Sequence, residues 1–94
     1  VKLVVSREAA ADVERLREFL RGQNPTAAQR AVTVLADAVE SLTMLPDRGR
    51  PSGIPAVREL MVPFGRSSYV IRYMHLADED SVIVLRIWHG REQR

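Results

Sequence analysis

Two apolar stripes of helical period follow one another in this 94-residue chain with almost nothing between them. Ala9, Val13, Leu16 and Leu20 recur at helical spacing and predict a first helix over about residues 7–21. Ser6 is placed to cap it, and Glu8 sets a negative charge in the first turn, where the helix dipole favours one. Gly22 suits the left-handed conformation that closes a helix. Asn24 is then a cap for a second helix, with Pro25 at its favoured first position. Ala28, Ala31, Val32, Leu35, Ala38, Val39, Leu42 and Leu45 predict one buried face from Pro25 to about Leu45, a helix roughly 30 Å long. A connection of about three residues forces the two helices to lie antiparallel and in contact. The many alanines on the second stripe permit close approach.

The rest of the chain reads as strands. Leu3–Val5 is a short strand ahead of the first helix. Pro46 ends the second helix, and Asp47 to Pro55 is rich in Pro and Gly and reads as a loop. Strands are expected at about residues 57–62, 69–76 and 82–88, with turns at Pro63-Phe64-Gly65 and at Asp78-Glu79-Asp80. The order β-α-α-β-β-β makes an α+β fold, a helical hairpin packed on one face of a mostly antiparallel sheet, in a single domain over residues 1–94. The absence of cysteine excludes disulfides, a thiol nucleophile and thiolate metal sites. No apolar run approaches the ~20 residues that span a bilayer, so no membrane association is expected, and the cytoplasm is the expected location. No Gly-rich phosphate loop and no paired acid and base stand out. His75 and His89, the two histidines, have no metal-ligand spacing. No metal, no cofactor and no catalytic residue are assigned.

The distinctive chemistry is arginine inside strands. Thirteen of the fourteen basic residues are Arg, a planar fork suited to carboxylate or phosphate. If the last hairpin centres on Glu79, Arg72 faces Arg86, Val70 faces Trp88 and Met74 faces Val84 on one side of the sheet. Tyr73 then faces Leu85, Ile71 faces Ile87 and Tyr69 faces His89 on the more apolar side, the one expected under the helices. Like charges directly opposite are unfavourable. Arg72 and Arg86 therefore either bind an anion from a partner or are neutralised by an acid such as Glu59. Arg58, Arg72, Arg86, Trp88, His89 and Arg91 are the candidate partner-binding residues.

These residues also carry a resemblance. Val57-Arg58-Glu59-Leu60, Val62-Pro63-Phe64-Gly65, Tyr69-Val70-Ile71, Tyr73 and the terminal Leu85-Arg86-Ile87-Trp88-His89-Gly90-Arg91, in this element order, resemble the ParE branch of the RelE/ParE toxin superfamily. The opening strand followed by Ser-x-x-Ala and the Pro-Gly-rich loop are similar too. The resemblance implies a type II toxin neutralised by a cognate, ParD-like antitoxin. The antitoxin would lay an amphipathic helix in an apolar groove at the edge of the helical hairpin and the adjoining sheet. It further implies inhibition of DNA gyrase by protein–protein binding, without specific nucleic-acid binding by the toxin alone. The alternative is a RelE-like, ribosome-dependent mRNA endoribonuclease, with Arg72, Arg86, His89 and Arg91 around the scissile phosphate. The RelE pattern places a catalytic Arg just after the tyrosine that opens the third strand; here that position is Val70. Arg91 matches a second Arg of that pattern, but the C-terminal tyrosine and the lysines are missing.

Overall fold

The computed structural model describes residues 1–90 of the chain. The elements are β1 (Lys2–Val5), α1 (Arg7–Gln23), α2 (Pro25–Ser41), β2 (Arg50–Pro51), β3 (Val57–Phe64), β4 (Ser67–Leu76) and β5 (Ser81–His89), with a single 3₁₀ turn over Ala77–Glu79. The strands form one sheet in the order β1-β5-β4-β3-β2. Only β1 runs parallel to its neighbour. The expected α+β architecture is the one observed. The sheet gains a fifth strand, because Arg50 and Pro51 inside the expected loop pair with Glu59 and Arg58.

The helical hairpin is tighter than the sequence suggests. Ser6 caps α1 by accepting the Ala9 N–H. Gly22 lies within the helix and takes no left-handed conformation, contrary to expectation. Asn24 alone joins the helices: its N–H closes α1 on the Leu20 carbonyl, and its side chain accepts from the N–H groups of Thr26 and Ala27 to open α2. One extended residue thus satisfies both helix ends. The second helix stops at Ser41, four residues short of the expected Leu45. The Ser41 and Thr43 hydroxyls bond back to the Ala38 and Glu40 carbonyls, and the chain tightens into turns. Leu42 remains buried, whereas Leu45 is exposed and does not join the buried face.

The β4–β5 register holds from the open end to its middle. Tyr69 faces His89, Val70 faces Trp88, Ile71 faces Ile87 and Arg72 faces Arg86. Beyond that point the expected pairs Met74–Val84 and Tyr73–Leu85 are replaced by Met74–Ile83 and Tyr73–Val84. Leu85 is an extra residue in β5, a bulge that shifts every earlier β5 side chain by one position. The consequence is that Val82 and Val84, both fully buried, turn under the helices in place of Ile83 and Leu85. Pro63 and Phe64 extend β3, and the turn falls at Gly65-Arg66. Proline is tolerated there because β2 covers only Arg58 and Glu59, leaving the outer edge at Pro63 unpaired.

The core lies between the hairpin and one face of the sheet. It joins Ala9, Leu16, Ala31, Leu35 and Leu42 of the helical segment to Leu60, Val62, Tyr69, Ile71, Tyr73, Val82, Val84 and Ile87. The Tyr73 hydroxyl accepts the Gly49 N–H at 2.9 Å and ties the loop after α2 to the sheet. A Cβ at Gly49 would meet that hydroxyl at 2.7 Å, so a side chain there would break the contact. Burial pushes the Tyr73 phenol up from its ordinary value, against the opposing pull of the Gly49 N–H.

Candidate functional site

The face of the sheet turned away from the helices carries an ordered row of charge. Glu59 on β3 faces Arg72 on β4, and its Oε2 accepts from Arg72 Nε at 3.1 Å and Nη2 at 2.7 Å. Arg50 on β2 approaches the other oxygen of Glu59 at 4.0 Å. The Arg72 guanidinium lies over the Trp88 ring, 5.0 Å from its centroid. The row Arg50–Glu59–Arg72–Trp88 therefore crosses four strands. Beside it, Val70 and Trp88 face each other and are only 5% and 7% exposed.

Arg86, directly opposite Arg72, is secured from the other side. Asp12 of α1 accepts from Arg86 Nε at 2.8 Å and Nη2 at 3.0 Å, and its Oδ2 also accepts the Ile87 backbone N–H at 2.9 Å. Arg15 adds a cation at 3.5 Å. Burial pushes the Asp12 carboxyl up, but the Arg86 fork, the Ile87 N–H and Arg15 together outweigh it and hold the group below its ordinary value. The two facing arginines are thus each matched by a carboxylate, on opposite sides, and the expected repulsion between them is neutralised. The acid weighed for this role, Glu59, takes Arg72; the acid that takes Arg86 comes from a helix.

The remaining candidates do not gather at this row. Arg58 faces Tyr73 on the helix-covered side, where Nη1 donates to the Gly49 carbonyl at 2.7 Å and Nε lies 3.4 Å from Asp47. It clamps the loop after α2, as does His75, whose Nδ1 is 2.8 Å from the same carboxylate. His89 is on the covered side too, at the opposite end, with its ring edge-on to Tyr69 at 5.5 Å. Arg91 lies outside the described residues. Tyr69 and His89 form part of an apolar groove of about 710 Å³ with Leu16, Phe19 and Leu20 of α1 and Phe64 at the end of β3. Arg15 and Gln23 stand at its margin, and Phe19 is 63% exposed. Among the described residues no cluster of His, Cys, Asp and Glu could hold a metal ion, and no helix is long and apolar enough to cross a membrane.

The chain as a whole has known relatives. Residues 3–94 match the family model of the ParE toxin of the type II toxin–antitoxin system parDE. The chain belongs to the ParE toxin family. Curated relatives include Toxin RelE1 of Caulobacter vibrioides, 49% identical over 98% of this chain and 96% of that protein. Toxin RelE3 of the same organism is 36% identical over 92% and 90%. Among solved structures, a chain of the chromosomal ParDE toxin–antitoxin system from P. aeruginosa superposes with a TM-score of 0.78 at 26% identity, covering 95% of both chains. A chain of the intact E. coli RelBE toxin–antitoxin complex shares the fold, with a TM-score of 0.65 at 17% identity over 99% of this chain and 98% of that one. The chain is therefore a type II toxin of the ParE/RelE superfamily.

In this ParE-family chain two contributors escaped the sequence reading. Asp12 lies three residues after Ala9 and four before Leu16, an acid set inside an apolar stripe, and that placement was the available signal. Phe19 lies between Leu16 and Leu20 on the same side of α1, and its exposure follows only from how α1 meets the β3–β4 turn.

Proposed function

We propose that this toxin acts by binding its target rather than by catalysing a reaction, that the target is DNA gyrase, and that the open face of the sheet makes the contact. The observation that carries this reading is the Val70–Trp88 pair. The ribonuclease pattern calls for an arginine where Val70 packs, in register with a tryptophan and almost without exposure. Cleavage of a phosphodiester needs a base, an acid and stabilisation of charge on the phosphorane. Arg72 and Arg86 supply charge, but the acids nearest them are engaged in holding them. The histidines stand on the covered side. A face that presents held guanidinium groups, Arg72 laid over the buried Trp88 and Arg86 beside it, instead suits a binding surface.

The cognate antitoxin is assigned to the groove between α1 and the β3–β4 turn. Its volume and apolar lining suit one face of an amphipathic helix, with Phe19 as the anchor contact. The ParDE and RelBE structures are toxin–antitoxin complexes, which supports such a partner here. Neutralisation and target binding would then use different surfaces of a cytoplasmic toxin.

The second reading, a ribosome-dependent mRNA endoribonuclease, is favoured by the names of the relatives, Toxin RelE1 and Toxin RelE3. Purified toxin added to gyrase supercoiling of relaxed plasmid, and to mRNA on translating ribosomes, separates the two. Lost supercoiling with intact mRNA is the expected result; cut mRNA with normal supercoiling would replace the first reading with the second.

A further inference from the structure

Asp12 is an unusual way to fasten a helix to a sheet. It is 4% exposed and sits in the buried stripe of α1. Withdrawing an ion pair from water is so unfavourable that well-packed apolar residues in place of both partners commonly serve stability as well or better. What the carboxylate provides, and an apolar side chain cannot, is orientation.

Its position explains what is oriented. Strand β1 covers the outer edge of β5 only as far as Val84. From there the start of α1 takes over: the Ser6 N–H donates to the Val84 carbonyl and the Ser6 hydroxyl donates to the carbonyl of the bulged Leu85. Asp12, one and a half turns on, continues this edge at the Ile87 N–H and grips Arg86 side-on through Nε and Nη2. A two-point contact fixes the plane of a guanidinium as well as its place. Arg86 is nonetheless 39% exposed, so the group is held still while facing outward. Across the strand pair, Glu59 holds Arg72 through the same two nitrogens.

We infer that Asp12 is a positioning residue for the interaction surface: acting through Arg86, it sets that guanidinium at the rim of the open face in the orientation that target binding requires. The inference rests on the open face being the target surface, and its test keeps the two apart.

The informative variants of the full chain are Asp12→Asn, Arg86→Lys and the double Asp12→Asn/Arg86→Ala. Asparagine still accepts the Ile87 N–H but cannot make the charged fork. Lysine keeps the charge but has no planar fork to orient. The double variant removes Arg86 without leaving a buried carboxylate unmatched. Each is assayed for inhibition of gyrase supercoiling, for growth arrest on induction, and for thermal unfolding.

Asp12→Asn and Arg86→Lys should each weaken inhibition about tenfold, while both still melt cooperatively. The double variant should be little worse than Asp12→Asn, because both changes remove one shared contact. If Asp12→Asn inhibits like wild type while the double variant does not, Arg86 works without Asp12 and the inference fails, though the surface reading stands. If the double variant also inhibits and arrests growth like wild type, the open-face reading itself fails. Should Asp12→Asn not fold, Arg86→Lys decides, and wild-type inhibition by that folded variant overturns the inference.

Discussion

The two halves of α1 meet the sheet in opposite ways. The first half is fastened to it. Ser6 and Asp12 reach the backbone of β5 at Leu85 and Ile87, and Ala9 and Leu16 are buried against the core. The second half packs less completely, with Leu20 only partly buried against the core. Phe19 is exposed, and Leu16, Phe19 and Leu20 open a groove toward Phe64 and Tyr69. The helix is regular throughout, so the contrast comes from its side chains and from what lies opposite. Where β1 ends, the helix supplies polar groups to a bare strand edge, and hydrogen bonds join the two. Past that point it presents apolar groups to a turn at the far end of β3, and packing is left for a partner to complete. On the function proposed above, the fastened half would orient the target surface and the open half would receive the antitoxin.

The largest test of this contrast is Leu16→Ala, at the junction of the halves, which should cost about 2–5 kcal/mol through the cavity it leaves. Asp12→Ala leaves the buried Ile87 N–H without its acceptor and the part-exposed Arg86 guanidinium to water, and should cost about 1–3 kcal/mol in urea unfolding. A loss under about 1 kcal/mol would mean that the first half of α1 is not fastened by this group. Phe19→Ala, one turn on from Leu16, should change stability by no more than about 0.5 kcal/mol. The same variant should weaken antitoxin binding by about 2 kcal/mol or more, measured by calorimetry. Equal effects of Leu16→Ala and Phe19→Ala on stability would erase the distinction.

The smallest effect is on pH dependence. The folded-state pKa of Asp12 is depressed, so its stabilisation is complete above the unfolded value of about 3.9 and is lost as pH falls below that toward the folded value. Unfolding curves of wild type and Asp12→Asn should therefore converge on acidification below about pH 4 and stay a constant distance apart between about pH 5 and 8. A gap that widens in acid would contradict the ion pairing.

Much of this was legible in the chain. Ser6, Asn24 and Pro25 mark the hairpin because capping is local chemistry. Arg72 does face Arg86, as a tip centred on Glu79 requires, but the observed turn pairs Leu76 with Ser81 and reaches that facing only through the bulge. The bulge at Leu85 was not legible, since Val82 to Leu85 is apolar without interruption and gives no alternation to reveal a shift. A two-residue β2 leaves no periodic signal at all. Asp12 and Arg86 are separated by 74 positions in sequence, so only the packed fold could pair them. The groove is harder still to foresee, being a space between elements rather than a property of any one of them.

Hydrogen exchange on the toxin alone and bound to its cognate antitoxin tests the division of α1 most directly. The account predicts new protection over residues 15–23 and the β3–β4 turn, with residues 7–12 and the centre of β5 unchanged because they are already held. New protection centred on residues 7–12 and on Arg72 and Arg86, with the groove unaltered, would contradict it and place the antitoxin on the surface assigned to the target.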